Sequence, residues 1–202
     1  MNTLDDIEAQ KKLDASQTYE SIISFPEQCQ DAFDATVNLV IPSSYKDINK
    51  ILMTGMGGSG LGARIIESVY ANNLKFPLIR YNGYDLPSWV DEKTLIICSS
   101  FSGTTEETVS NAKKAIEKKF KWMAIGSGAT LIDLAKRENV PYYHIDPVHN
   151  PSKQPRTAIG YSVVGQLRLV AAAGLISFEQ KEIDSCVARM RSIIEANTRN
   201  VS

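Results

Sequence analysis

The sequence predicts an α/β protein: a three-layer α/β/α sandwich around a five-stranded parallel sheet, with extra helices at the N and C termini. Three observations carry that expectation. Short apolar segments recur between residues 51 and 145, each bounded by turn residues and each apolar on both faces. Such strands suit a sheet covered on both sides. Segments of helical period alternate with them, so the connections are crossovers, and right-handed crossovers give parallel strands. The 202 residues, 43% hydrophobic and 22% charged, are enough to enclose one sizeable core.

The elements follow in order. Residues 1–17 are polar and read as a short helix or an arm. A helical pattern opens at Thr18, is interrupted by Pro26, and continues with Cys29, Phe33, Val37 and Val40 at helical spacing. Pro42-Ser43-Ser44 closes it, so residues 1–45 form an N-terminal helical segment and 46–202 the α/β domain. Strands are expected at Ile51–Met56, Pro77–Tyr81, Thr94–Ser99, Trp122–Ile125 and Pro141–Ile145. Helices are expected at Ser59–Tyr70, Thr104–Lys119 and Leu131–Glu138. Pro155 then stands where a first helical residue would. An apolar, small-residue helix runs over Ala158–Ile176, and its apolar end from Leu169 is a plausible homodimer face. A last helix, Phe178–Asn197, carries Ile183, Val187, Met190 and Ile194 on one stripe.

Composition excludes several function classes. Net charge is −1, so bulk electrostatics favour neither nucleic acid nor an anionic membrane. Lys113, Lys114, Lys118, Lys119 and Lys121 read as a solvated helix face without interleaved aromatics. The first residues are acidic and polar, unlike a secretory leader, and no apolar run is long enough to span a bilayer. Cys29, Cys98 and Cys186 are odd in number and share no C-x-x-C spacing, which points to a reducing cytoplasm and no metal site.

Two loops carry the chemistry. Gly55-Met-Gly57-Gly58-Ser59-Gly60 follows the first strand and opens a helix, and it satisfies G-x-G-x-x-G. A dinucleotide site is one interpretation. Against it, the second strand ends Arg80-Tyr81-Asn82, where a ribose would want an acid, and Ser59 suits a terminal phosphate better. The glycines could equally relieve crowding in a tight turn. The second loop decides between these. Ser99 to Thr105 holds five Ser or Thr residues and one Gly in seven positions, between an apolar strand and a helix whose first turn carries Glu106 and Glu107. One hydroxyl suffices for an N-cap, so the rest are free to hold an anion at a helix N-terminus. In the common flavodoxin-like strand order, 2-1-3-4-5, both loops meet at the carboxyl edge where open α/β sheets bind ligands. Neither loop contains Lys or Arg, so a phosphate would be held by neutral hydrogen bonds and helix dipoles. Each such bond contributes ~1–3 kcal/mol to a charged acceptor. No G-K-[ST] follows, which excludes an NTPase P-loop.

Glu106 and Glu107 read as complements to the helix dipole. Arg156, a cation at an expected helix start, is placed against local preference and is therefore a functional candidate. His144 and His149 flank the end of the fifth strand; a structural role is preferred to proton transfer for both.

In that order and spacing, GMGGSG, SSFSGTTEET and QPRTAIG resemble the sugar isomerase (SIS) domain, and more narrowly the N-terminal half of the bifunctional phosphoglucose/phosphomannose isomerase family. The resemblance runs from about Ile51 to Ile176. It implies that Ser59, Ser100, Ser102 and Thr105 bind a substrate phosphate, with Gly57 and Gly58 allowing close approach. It implies that Arg156 faces a developing enediol, as the proton moves between C1 and C2 of a hexose 6-phosphate. Thr104 stands where the family often has Asn. The resemblance implies no metal or organic cofactor, and a glutamate base and ring-opening histidine from a second SIS half. That half is expected to be missing from these 202 residues, leaving the chain by itself weak or inactive. Two alternatives are a non-catalytic sugar-phosphate sensor and an NAD(P)-binding oxidoreductase domain.

Overall fold

The computed structural model of the chain describes residues 6–198. Three helices open it: α1 (Ile7–Leu13), α2 (Thr18–Ile23) and α3 (Phe25–Asp34). Then come β1 (Lys50–Thr54), α4 (Leu61–Val69), β2 (Leu78–Tyr81), β3 (Thr94–Ser99), α5 (Glu106–Glu117), β4 (Lys121–Gly126), α6 (Ala129–Arg137) and β5 (Tyr142–His144). Two helices close it, α7 (Ile159–Ala172) and α8 (Gln180–Asn197). The five strands form one parallel sheet in the order β2-β1-β3-β4-β5, as the alternation of elements predicts.

Each face of the sheet builds one core. On β3, Leu95 and Ile97 join a cluster with Ile51, Met53, Met123 and Ile125, covered by α3, α4, α7 and α8. Ile96 and Cys98 face the other way, with Leu52, Trp122 and Ala124, under α5 and α6. This period-2 division of a wholly buried strand explains why β3 is apolar throughout. The stripe of α8 packs over its first part: Ile183 and Val187 are buried and Met190 leans on the same cluster, while Ile194 lies beyond it.

Several boundaries differ from expectation. The interruption at Pro26 is a break between two helices: α2 ends at Ile23, and Pro26 sits in the first turn of α3, where its missing N–H costs nothing. The stripe ends at Phe33, because α3 stops at Asp34. Just beyond, Thr36 turns its hydroxyl back onto the carbonyls of Ala32 (2.6 Å) and Phe33 (3.0 Å). Val37 and Val40 are consequently exposed. The helix after the glycine loop begins at Leu61 rather than Ser59, since Gly57–Gly60 form a separate 3-10 turn. Leu169, Val170 and Leu175 are buried within the chain's own core, so the apolar run there gives no ground for an intersubunit face. The first five residues of the expected N-terminal arm lie outside the described residues.

Candidate functional site

The β2-β1-β3 order puts the ends of β1 and β3 side by side, with Thr54 paired to Cys98 in the register. The glycine loop and the hydroxyl loop therefore emerge as neighbours. They are bonded to each other: the Phe101 backbone N–H donates to Ser59 Oγ at 3.1 Å. A buried glutamine from α7 completes the join. Gln166, 1% exposed, donates Nε2 to the Ser59 carbonyl at 2.7 Å and to Ser99 Oγ at 3.0 Å.

The hydroxyl loop is folded around Ser100, which is buried. Ser100 Oγ accepts from the backbone N–H of Gly103 (3.1 Å) and Thr105 (3.4 Å) and shares a hydrogen bond with Thr105 Oγ1 at 2.8 Å. Ser102 is exposed, and its Oγ bonds Thr104 Oγ1 at 3.0 Å. Thr105 is the N-cap residue of α5, yet its side chain makes no capping bond. The hydroxyls are thus not consumed by capping; they form a paired cluster over the start of α5. Gly103 sits at φ +72°, and a Cβ there would collide with the Gly128 carbonyl. The neighbouring loop after β4 is fixed by Ser127, whose Oγ donates to the Phe101 carbonyl at 2.6 Å.

The glycines divide by role. Gly55 and Gly60 relieve crowding: a Cβ on either would come within 2.7–2.8 Å of a backbone oxygen of the same turn. Gly57 needs its positive φ of +54° and faces open space. Gly58 could carry a methyl at ordinary contact distance from Ile159 and the Pro155 carbonyl, so it marks where a third segment arrives.

That third segment carries Arg156. The expected helix start at Pro155 is instead a 3-10 turn, Pro155–Thr157, and α7 begins only at Ile159. Arg156 is exposed beside the glycine loop, ahead of the helix rather than in its first turn. A buried polar network holds the turn in place. Thr157 Oγ1 bonds Asn150 Oδ1 (2.8 Å) and Ser152 Oγ (2.6 Å). Gln28 of α3, fully buried, donates Nε2 to the carbonyls of Thr157 (2.7 Å), His149 (3.0 Å) and Ser21 (3.1 Å). Gln28 and Gln166 are the two positioning residues that the sequence analysis missed.

The other titratable candidates point elsewhere. Tyr84 Oη donates to Glu106 Oε2 at 3.0 Å, which turns this carboxylate toward the segment after β2. His149 Nε2 lies 3.3 Å from Asp31 Oδ2, tying its loop to α3. Burial pushes the Asp31 carboxyl up, and His149 opposes that shift. The ring of His144 bonds the Ser127 carbonyl at 3.1 Å. Both histidines thus have structural partners.

The cluster presents hydroxyls, backbone N–H groups and the N-termini of α4 and α5 at one sheet edge, suited to a small phosphorylated ligand. No protein-family model matches the chain. Among solved structures, the C-terminal domain of glucosamine-fructose-6-phosphate aminotransferase from Francisella tularensis superposes with a TM-score of 0.62, covering 87% of this chain and 53% of that one at 15% identity. The two share a fold, an α/β sandwich on a parallel sheet.

Sequence narrows the class. The chain is 36% identical over 178 residues to a bifunctional phosphoglucose/phosphomannose isomerase of Caldicellulosiruptor bescii, covering 88% of this chain and 51% of that protein. It is 40% identical over 114 residues to the protein of the same name from Thermoplasma volcanium, covering 56% of this chain and 34% of that one. The chain is a relative of the bifunctional phosphoglucose/phosphomannose isomerases, and it spans about half or less of the length of these curated relatives.

Proposed function

We propose that the chain is the phosphosugar-binding part of an aldose–ketose isomerase that interconverts glucose 6-phosphate or mannose 6-phosphate with fructose 6-phosphate. The observation that carries this is the joining of three distant segments, Gly57–Gly60, Ser100–Thr105 and Pro155–Thr157, at the carboxyl edge of β1 and β3. In this proposal Ser59, Ser102 and Thr105 donate hydroxyl hydrogens to the phosphate. Ser100 acts mainly by shaping the loop, and Gly57 and Gly58 leave room for the ligand. Arg156 faces the sugar and stabilises negative charge as a cis-enediol forms, a step in which charge on oxygen is the main cost.

The base that moves the C1–C2 proton is proposed to come from the part of the relatives' length that this chain does not span, because Glu106, His144 and His149 are turned away or engaged. The three free thiols support a reducing, cytoplasmic setting. No helix among the described residues is long and apolar enough to cross a membrane.

Calorimetry tests the assignment. Glucose 6-phosphate and fructose 6-phosphate are expected to bind, while NAD+ and NADP+ are not. Binding of a dinucleotide without sugar phosphate would replace this proposal with an oxidoreductase domain.

A further inference from the structure

A second hollow lies on the other flank of the glycine loop. The hydroxyl cluster follows β3; this hollow opens toward the end of β2. It encloses about 120 Å3; it shares Gly57 and Ser59 of the glycine loop with the site proposed above, and Arg64, Arg80 and Asn82 line its other side. A single water needs roughly 10–15 Å3 by this measure, so there is room for a polyatomic anion. It falls short of the roughly 300–1,000 Å3 typical of sites that enclose a drug-sized ligand, so an adenosine would not fit.

Of the two cations in this hollow, Arg64 has no ion-pair partner among the described residues and Arg80 has a half-exposed one. Arg64 sits at the end of the first turn of α4, where a cation opposes the helix dipole, and among the described residues it has no ion pair. Arg80 comes from the adjacent strand and is paired to Glu67 at 2.9 Å. Those two side chains are 42% and 48% exposed, and a half-exposed pair of this kind is weak and easily exchanged. Glu67, bound to Arg80, opposes an incoming anion there. Gln166, 1% exposed, lines the inner wall; its Oε1 is an acceptor that lies toward Gly62 and offers nothing to an anion.

We propose that this hollow is a second anion site, which takes a phosphate group on the guanidiniums of Arg64 and Arg80, apart from the Ser100–Thr105 hydroxyls. Guanidinium forks match phosphate oxygens bidentately. The two sites therefore differ in kind: one is cationic and sensitive to salt, the other uses neutral donors and helix ends. The phosphate could be free or the second phosphoryl group of a bisphosphorylated sugar.

Titration of the whole chain with inorganic phosphate, followed by calorimetry, tests the proposal. Two phosphates per chain are expected. Arg64→Gln and Arg80→Gln should each weaken one of them at least about tenfold, the size of losing a hydrogen bond to a charged group. Ser102→Ala should weaken only the other. Added NaCl should weaken the arginine-dependent site more. Both arginines are surface residues, so the unfolding midpoints of the variants should match the parent. Glucose 1,6-bisphosphate distinguishes the sources: tighter binding than glucose 6-phosphate that Arg64→Gln removes assigns the hollow to a second phosphoryl group, and equal binding assigns it to free phosphate. An arginine-dependent site alone would uphold this inference while removing the hydroxyl-cluster proposal. A single phosphate that only Ser102→Ala weakens, arginine variants that bind as the parent does, or tight NADP+ binding lost with Arg80→Gln would overturn it.

Discussion

Gln166 and Ser59 are joined by a 2.7 Å hydrogen bond from a buried side-chain amide to a backbone carbonyl. The same amide nitrogen reaches Ser99 Oγ, so one residue of α7 sets the spacing of the loops after β1 and β3. A Cβ on Gly62 would lie 2.6 Å from Gln166 Oε1, so α4 also leaves space for this side chain. Replacing Gln166 by Leu keeps the volume but leaves the Ser59 carbonyl and the Ser99 hydroxyl without this donor. The expected cost is about 1–3 kcal/mol in urea unfolding, with weaker sugar-phosphate binding in the same variant. An unchanged unfolding midpoint would show that the amide does not hold the loops.

The two serines of the second loop should behave differently. Ser102 is exposed and bonded only locally, so Ser102→Ala is expected to lower sugar-phosphate affinity by roughly 1–2 kcal/mol with little change in stability. Ser100 is buried and accepts two backbone N–H groups, so Ser100→Ala should lose both affinity and about 1–2 kcal/mol of stability. Calorimetry paired with thermal unfolding separates the two patterns.

Gly103→Ala should damage the loop from within. The backbone there is left-handed and the added methyl would meet the Gly128 carbonyl. A destabilisation of roughly 1–3 kcal/mol or more is expected, with loss of binding, because neither backbone segment can yield without breaking its own bonds. Gly58→Ala, which has room, should fold normally and serves as the contrast.

The thiols give a pH test. Burial pushes Cys29 and Cys98 up to about 12, from an ordinary value of 9.0, while Cys186 is exposed. An aromatic disulfide reagent near neutral pH should titrate one fast thiol in the native protein and three after denaturation. The folded state keeps protons that the unfolded chain gives up above pH 9, so this contribution to stability is complete below that pH. It falls as pH rises from 9 toward 12. An unfolding midpoint that stays flat across that range would contradict it.

The sheet and the glycine and hydroxyl loops were legible in the sequence because each depends on a local signal. Strands buried on both faces are apolar without a break, as in β3, and the loops announce themselves by glycines and clustered hydroxyls. Gln28 and Gln166 carried no such signal: Gln28 is one of several polar residues in α3, Gln166 is one of few in α7, and both reach partners more than 60 residues away in sequence. Arg64 and Arg80 line one hollow because α4 follows β1 and β2 pairs beside it in parallel. Val37 and Val40 continued a helical period that the chain had already left, since periodicity does not record where Thr36 turns the backbone. Arg156 was flagged for opposing a helix dipole, but its turn precedes α7 and is placed by Asn150, Ser152 and Gln28.

The central claim is that one phosphosugar is held where three segments meet. Amide chemical-shift changes on adding glucose 6-phosphate test it most directly. The account predicts that the largest changes fall on Gly57–Gly60, Ser100–Thr105 and Arg156–Thr157. Saturating changes confined to other surfaces, with these amides unmoved, would contradict it.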